Sequence, residues 1–181
     1  PALVVRSVEE CDEACHDDIT VATSLLEARI LAGNVAQAGL PMQLLNKNWS
    51  QTKFYEAKMA EAKERYLKHN STEYNLEPDL KNAPGGLRDI HTVGWISKRY
   101  FRVTNLFGLV QQEFITEREF DELQQAEDFL WLIRHHLHKI AKRNENRVLF
   151  DYQRLIAERI GYRDNSHPNA AVEQFMRDYY R

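Results

Sequence analysis

The chain has little that breaks helices: seven glycines and five prolines in 181 residues. That scarcity favours helical segments over a turn-rich all-β architecture. Two cysteines are too few for a disulfide scaffold, and Cys11 and Cys15 stand at i, i+4, where they read as plain thiols on one helix face. With His16 beside them they still lack the second ligand pair of a structural zinc site. No apolar run approaches the ~20 residues of a membrane helix, and no basic-then-apolar leader opens the chain. The expectation is a cytoplasmic fragment or processed piece. An excess of positive charge is also missing: 24 basic residues face 27 acidic ones, for a net charge of -3. Nucleic-acid binding loses ground on that balance.

What is present is an ordinary globular composition, 43% hydrophobic and 28% charged, with a mean hydropathy of -0.59. The length suits one domain or two small ones. Helix signals follow one another along the chain. Ser7 with Glu9 and Glu10 predicts a helix start, and Asp18 predicts a second one running to Leu26. Six acids and no Lys or Arg between Ser7 and Asp18 make that end locally negative. Asn34 is a candidate cap for a third helix that Gly39 and Pro41 would interrupt. Ser50 opens a long helix whose apolar stripe reads Tyr55, Met59, Ala62 and Tyr66, with Lys53, Lys58 and Glu61 among its solvated residues. Asn70 to Pro84 breaks the period and reads as an extended connector. Beyond it the stripe resumes with Ile90, Val93, Ile96 and Tyr100.

A short helix is expected over Asn105–Gln112. Thr116 and Glu119 form a capping-box pattern ahead of the clearest helix, with Phe120, Leu123, Ala126, Leu130, Ile133, Leu137 and Ile140 on one face and Phe129, Trp131 and Leu132 widening it. Asp151 is the predicted cap of a helix ending at Gly161, and a last helix runs from about Pro168. The fold class is therefore mainly α: a helical bundle, with at most a short strand remnant near Pro1–Val5 or Ala28–Ala32.

The most informative stretch is Tyr74 to Ile90, centred on Pro84-Gly85-Gly86 running into a helix. Glycines let backbone approach a ligand, and the first amides of a helix are unsatisfied donors suited to an anion. Lys81 and Arg88 flank the turn and supply cations for phosphate. Glu77 and Asp79, two residues apart on an extended segment, would point the same way towards a Mg²⁺ that accompanies a nucleotide. The competing reading is plain loop-to-helix punctuation, since neither the Walker spacing nor Gly-x-Gly-x-x-Gly is present.

Asn75-Leu76-Glu77-Pro78-Asp79-Leu80-Lys81, followed by Pro84-Gly85-Gly86-Leu87-Arg88-Asp89-Ile90-His91, resembles a segment of the bifunctional uridylyltransferase/uridylyl-removing enzymes of bacterial nitrogen regulation. Arg6–Cys11, Asp18–Thr23 and Glu27-Ala28-Arg29 resemble the end of that family's nucleotidyltransferase domain. Asn146–Asp151, Val172–Met176 and Tyr179-Tyr180-Arg181 resemble its helical region. The likeness thus spans nearly the whole chain and divides it into a transferase-domain tail, 1–48, and a helical domain, 49–181. It implies transfer of UMP from UTP to a tyrosine of the PII signal protein, with Mg²⁺ as cofactor and glutamine sensed by domains that this chain would not contain. It also implies nucleotide-binding roles for Lys81, Gly85, Gly86 and Arg88, and secondary metal or positioning roles for Glu77 and Asp79. The family's catalytic Asp-x-Asp is missing from the first thirty residues, where Asp17-Asp18 reads as a cap, so the piece alone is expected to be inactive.

Two alternatives stay open. The core Lys81-x-x-x-Gly85-Gly86-Leu87-Arg88-Asp89-Ile90 is also similar to a segment of glutamine synthetase adenylyltransferase, and a non-catalytic helical docking or relay module would use the same segment as a brace. His135, His136 and His138 lie among Arg134, Lys139, Lys142, Arg143 and Arg147, a positive field that disfavours a metal site. They read as a solvated basic face or, less economically, as a contact for phosphates or for an acidic surface of PII. His91 is a candidate nucleotide contact or a packing residue, and Trp49, Trp95 and Trp131 are read as core or interface residues.

Overall fold

The computed structural model describes residues 4–34, 37–68, 75–163, 166–167 and 169–181. Nine α-helices and one π-helical turn make up the regular structure of these residues: α1 (Val8–Asp17), α2 (Ile19–Leu26), α3 (Leu40–Asn48), α4 (Gln51–Lys68), α5 (Leu87–Ile96) with its π turn Ser97–Phe101, α6 (Phe107–Gln111), α7 (Glu117–Ala141), α8 (Phe150–Ile160) and α9 (Ala170–Tyr179). No strand is formed among them. Pro1 to Leu3 lie outside the described residues, Val4 and Val5 are irregular and exposed, and Ala28–Ala32 is irregular too.

Local chemistry sets many of the helix ends. Ser7 Oγ accepts the Glu10 N–H at 3.2 Å while the Glu10 carboxylate accepts the Ser7 N–H at 2.7 Å. Thr116 and Glu119 repeat the arrangement ahead of α7, and the Asp18 carboxylate takes the Thr20 N–H at 2.6 Å. Each closes donors that a helix start leaves open. Pro41 does not interrupt a helix begun at Asn34; it lies in the first turn of α3, where a missing N–H removes nothing the helix would use. Gly161, at φ 100°, ends α8 in the left-handed conformation.

The chain divides into two compact units, with boundaries inside α4 and α5: Pro1–Ala62 with Thr92–Gln112, and Lys63–His91 with Glu113–Arg181. In the first, α1, α2 and α3 pack on one another around Cys15, Ala22, Leu45, Trp49 and Phe54. The Trp49 indole N–H donates to the Cys15 carbonyl at 2.6 Å, and the Trp49 ring meets Phe54 edge-on at 6.5 Å. The inward face of α4 differs from the predicted stripe. Phe54, Lys58 and Ala62 are buried, whereas Tyr55 and Met59 are 44% and 45% exposed. Lys58, expected in solvent, is 2% exposed; its ammonium sits 2.5 Å from Glu61 Oε2 and 4.3 Å from the Trp95 ring centroid. An ammonium with a carboxylate and an aromatic face can be buried where an unpartnered one cannot. Along α5, Ile90 is buried as predicted, but Val93 and Tyr100 are exposed and Ser97 is buried. Leu87, Ile90 and Ser97 follow the helical period on the inward side, and the π turn then shifts the phase.

In the second unit α7 packs on α8 and α8 on α9. Leu130, Ile133 and Leu137 of α7, Ile156 and Ala157 of α8, and Phe175 of α9 are buried. Phe175 meets Phe129 and Tyr162 at ring separations of 6.5 and 5.7 Å. Trp131 and Leu132, counted from the sequence as widening the apolar face, are instead exposed. The unit also buries Leu80, Leu87 and Val148, which anchors the Pro-Gly-Gly segment on both sides while Gly85 stays exposed.

Candidate functional site

The segment from Asn75 to His91 is a compact turn, where the sequence predicted an extended connector as far as Pro84. Asp79 Oδ1 accepts the N–H groups of Lys81 and Asn82 at 2.9 and 2.7 Å and so folds the chain back on itself. Leu80 donates to the Asn146 carbonyl and Val148 to that of Pro78, both at 2.9 Å, an isolated antiparallel bridge between Asp79 and Arg147. Glu77 Oε1 accepts the Phe150 N–H at 3.0 Å. That contact caps α8 in place of Asp151, which the sequence nominated but which lies inside the first turn.

The turn amides are occupied. Gly85 N–H donates to Asp89 Oδ2 at 2.8 Å, while Gly86, Leu87 and Arg88 donate to the carbonyls of Ala83, Leu80 and Lys81 at 2.9 Å each. The expectation of open amide donors for an anion is corrected on this point: a helix start buried within its own loop has to satisfy its donors internally. The glycines serve the turn. Gly85 has φ +78°, and a Cβ on Gly86 would lie 2.9 Å from the carbonyl oxygens of both Leu80 and Ala83. Asp89 is held by Arg65, whose Nη2 donates to Oδ1 at 2.6 Å while Nη1 donates to the Asn82 carbonyl at 3.0 Å.

What the turn brings together is side-chain charge. The Arg88 N–H to Lys81 carbonyl bond sets these two residues side by side. Arg134, from α7, joins them: its Nε donates to Asn146 Oδ1 at 2.9 Å, and its guanidinium lies 5.1 Å from the Trp131 ring centroid. Burial, and then the charges of Arg88 and Arg134, hold the half-buried Lys81 ammonium below its ordinary pKa, with Asp79 opposing them. Among the described residues, neither Lys81 nor Arg134 has a carboxylate in ion-pair range. The sequence groups Arg134 only with the histidines of α7; nothing local ties it to a distant turn.

Glu77 and Asp79 were expected to approach a metal together. Each carboxylate is instead engaged by backbone N–H groups, and no group of three His, Cys, Asp or Glu side chains is placed to hold a metal ion among the described residues. Sequence reasoning also missed the anchoring of this segment by α9: the Tyr180 hydroxyl donates to the Asn75 carbonyl. Beside it, the Tyr179 hydroxyl is pushed far up in pKa by burial, and then by Tyr180 and Asp79.

The histidines of α7 are only partly a solvated face. His135 is exposed, but His136 Nδ1 and His138 Nε2 are buried without partners among the described residues. Burial, followed by His135, Lys139 and Arg159, lowers the His136 pKa. His91 is half-buried, with its ring 6.3 Å from that of Trp131. Among the described residues no helix is long and apolar enough to cross a membrane.

Comparison with known proteins bears on what this arrangement belongs to. The bifunctional uridylyltransferase/uridylyl-removing enzyme of Psychrobacter sp. (strain PRwf-1) is 62% identical over 100% of this chain, which covers 20% of that protein. The enzyme of the same description from Acinetobacter baumannii (strain AYE) is 54% identical over 100% of the chain and 21% of its own length. The chain therefore spans about a fifth of the length of these curated relatives. No solved structure matches significantly. A family model described as GlnD PII-uridylyltransferase matches residues 53–181. With that match over most of its length and these identities over all of it, the chain belongs to the GlnD PII-uridylyltransferase family.

Proposed function

We propose that this chain is the helical part of a cytoplasmic enzyme that transfers UMP from UTP to a tyrosine of the PII signal protein, and that its Lys81–Arg88 turn contacts the UTP phosphates. The observation that carries the reading is the Arg88 N–H to Lys81 carbonyl bond at 2.9 Å, which pairs the backbones of two cationic residues across one tight turn. Phosphate oxygens are the chemistry such a pair recognises. Gly85 and Gly86 contribute by permitting the turn. Glu77 and Asp79 contribute by positioning it, and Mg²⁺ arrives with the UTP on other groups of the complete enzyme. Residues 1–48 would be the tail of the preceding transferase domain.

In the complete uridylyltransferase carrying this segment, Arg88→Ala should lower the uridylylation rate by about ten- to a hundredfold, the scale of one charge-assisted contact. An unchanged rate in a folded variant removes the phosphate role. A second reading has support of its own. The turn's amides close on the protein itself, and Glu77 caps α8, as in a brace. Under it, Arg88→Ala, which keeps the backbone N–H, would leave the affinity for Mg-UTP intact.

A further inference from the structure

We infer that Arg134, held in place by Asn146, is a third cationic contact of the phosphate site around Lys81 and Arg88, and that this site takes a polyphosphate rather than a single phosphate. The inference rests on the phosphate reading of Lys81 and Arg88 given above.

Asn146 ties two parts of the unit together. Its backbone carbonyl accepts the Leu80 N–H at 2.9 Å, one residue before Lys81. Its side-chain oxygen accepts Arg134 Nε at 2.9 Å. The guanidinium is thus tethered to the loop that carries Lys81, and its orientation is set by a neutral amide. Trp131 supports it from the ring face at 5.1 Å.

Charge around the loop argues for an anionic ligand. Four carboxylates of this unit have partners of their own: Asp79 with the Lys81 and Asn82 N–H groups, Asp89 with Arg65 and Gly85, Glu77 with Phe150, and Glu145 with Arg143. Among the described residues Lys81 and Arg134 have no carboxylate in ion-pair range; both are half-buried, and the Lys81 ammonium feels both Arg88 and Arg134, with Asp79 opposing them. Gathering like charges with reduced solvent is unfavourable until an anion enters. Three cations from three separate elements, the turn, the start of α5 and α7, suit an extended anion with several charged groups. A triphosphate has that form. A planar guanidinium fixed through Nε still offers its two Nη groups to phosphate oxygens.

The test uses the complete enzyme, with Mg-UTP and inorganic tripolyphosphate as probes and binding read by calorimetry. Arg134→Gln should weaken both by about tenfold or more, Arg134→Lys should recover part of that loss, and Asn146→Ala should show a smaller loss in the same direction. Circular dichroism checks that each variant is folded. If Arg134→Gln binds both probes as the wild type does while Lys81→Ala binds them weakly, the Arg134 assignment fails and the phosphate reading stands. If Lys81→Ala and Arg88→Ala are also unaffected, the phosphate reading itself has failed. A loss of affinity for the PII protein with Mg-UTP binding intact would overturn the inference in favour of a protein-docking role.

Discussion

The carboxylate of Glu77 accepts the backbone N–H of Phe150 at 3.0 Å, joining residues 73 positions apart. A helix cap normally comes from the residue beside the helix, yet Leu149, at the cap position of α8, makes no side-chain cap. Glu77→Ala should therefore lower stability by about 1 kcal/mol, read from the urea midpoint. Glu77→Gln keeps an acceptor and should lose only the charge–dipole part, roughly half of that. If Glu77→Ala instead weakened Mg-UTP binding at unchanged stability, the carboxylate would be a metal or ligand group.

The two glycines of the turn should respond differently to the same change. A Cβ on Gly86 meets two carbonyl oxygens at 2.9 Å, whereas one on Gly85 meets nothing within 4 Å but sits at φ +78°. Gly86→Ala should destabilise by about 2–3 kcal/mol through displaced backbone, and Gly85→Ala by about 1 kcal/mol through conformational strain alone. Equal midpoints for the two variants in chemical denaturation would contradict this account of the turn.

Lys58 is buried against Trp95 and paired with Glu61. Lys58→Ala should cost about 3 kcal/mol, because it removes a packed stem and leaves a cavity. Lys58→Met keeps most of the volume, and Glu61 is about one-third exposed and can turn to water. That variant should stay within about 1 kcal/mol of the wild type. Chemical denaturation of the pair decides the matter: a Met variant as unstable as the Ala variant would mean that the charge itself holds this face of α4.

Tyr162 donates to Asp178 Oδ2 at 2.8 Å. Burial, then that carboxylate, push its hydroxyl up to about 12. The unfolded chain releases the same proton near pH 10, so the folded state retains it over that interval. The stability it contributes is complete below pH ~10 and is lost as pH rises towards 12. Tyr162→Phe should flatten this part of the stability–pH curve while leaving its neutral-pH shape unchanged. A slope identical to wild type between pH 10 and 11.5 would refute the assignment.

What could be read from the sequence and what could not differ in the range of the interactions involved. The caps at Ser7, Asp18 and Thr116 each use a partner within three residues, and helical backbone fixes such neighbours whatever packs around them. Gly161 likewise ended α8 as predicted. Pro41 is ambiguous in the sequence because proline is both a helix breaker and a first-turn residue, and only the position of the helix start separates the two roles. The buried face of α4 is out of phase with its apolar spacing because that spacing does not anticipate a lysine lying against an aromatic face.

The candidate site divides along the same line. A mainly helical chain, the ends of several helices, and the motif in which Lys81 and Arg88 flank a Pro-Gly-Gly turn are legible in the residues alone, because each rests on local conformation or on a contiguous pattern. Three-dimensional packing is needed to see that the turn's amides close on its own carbonyls and the Asp89 carboxylate, that Glu77 caps a helix 73 residues away, and that Arg134 reaches the Lys81 loop through Asn146. Those contacts depend on which segments the buried side chains bring together. A residue's local sequence carries no record of a partner that only packing supplies.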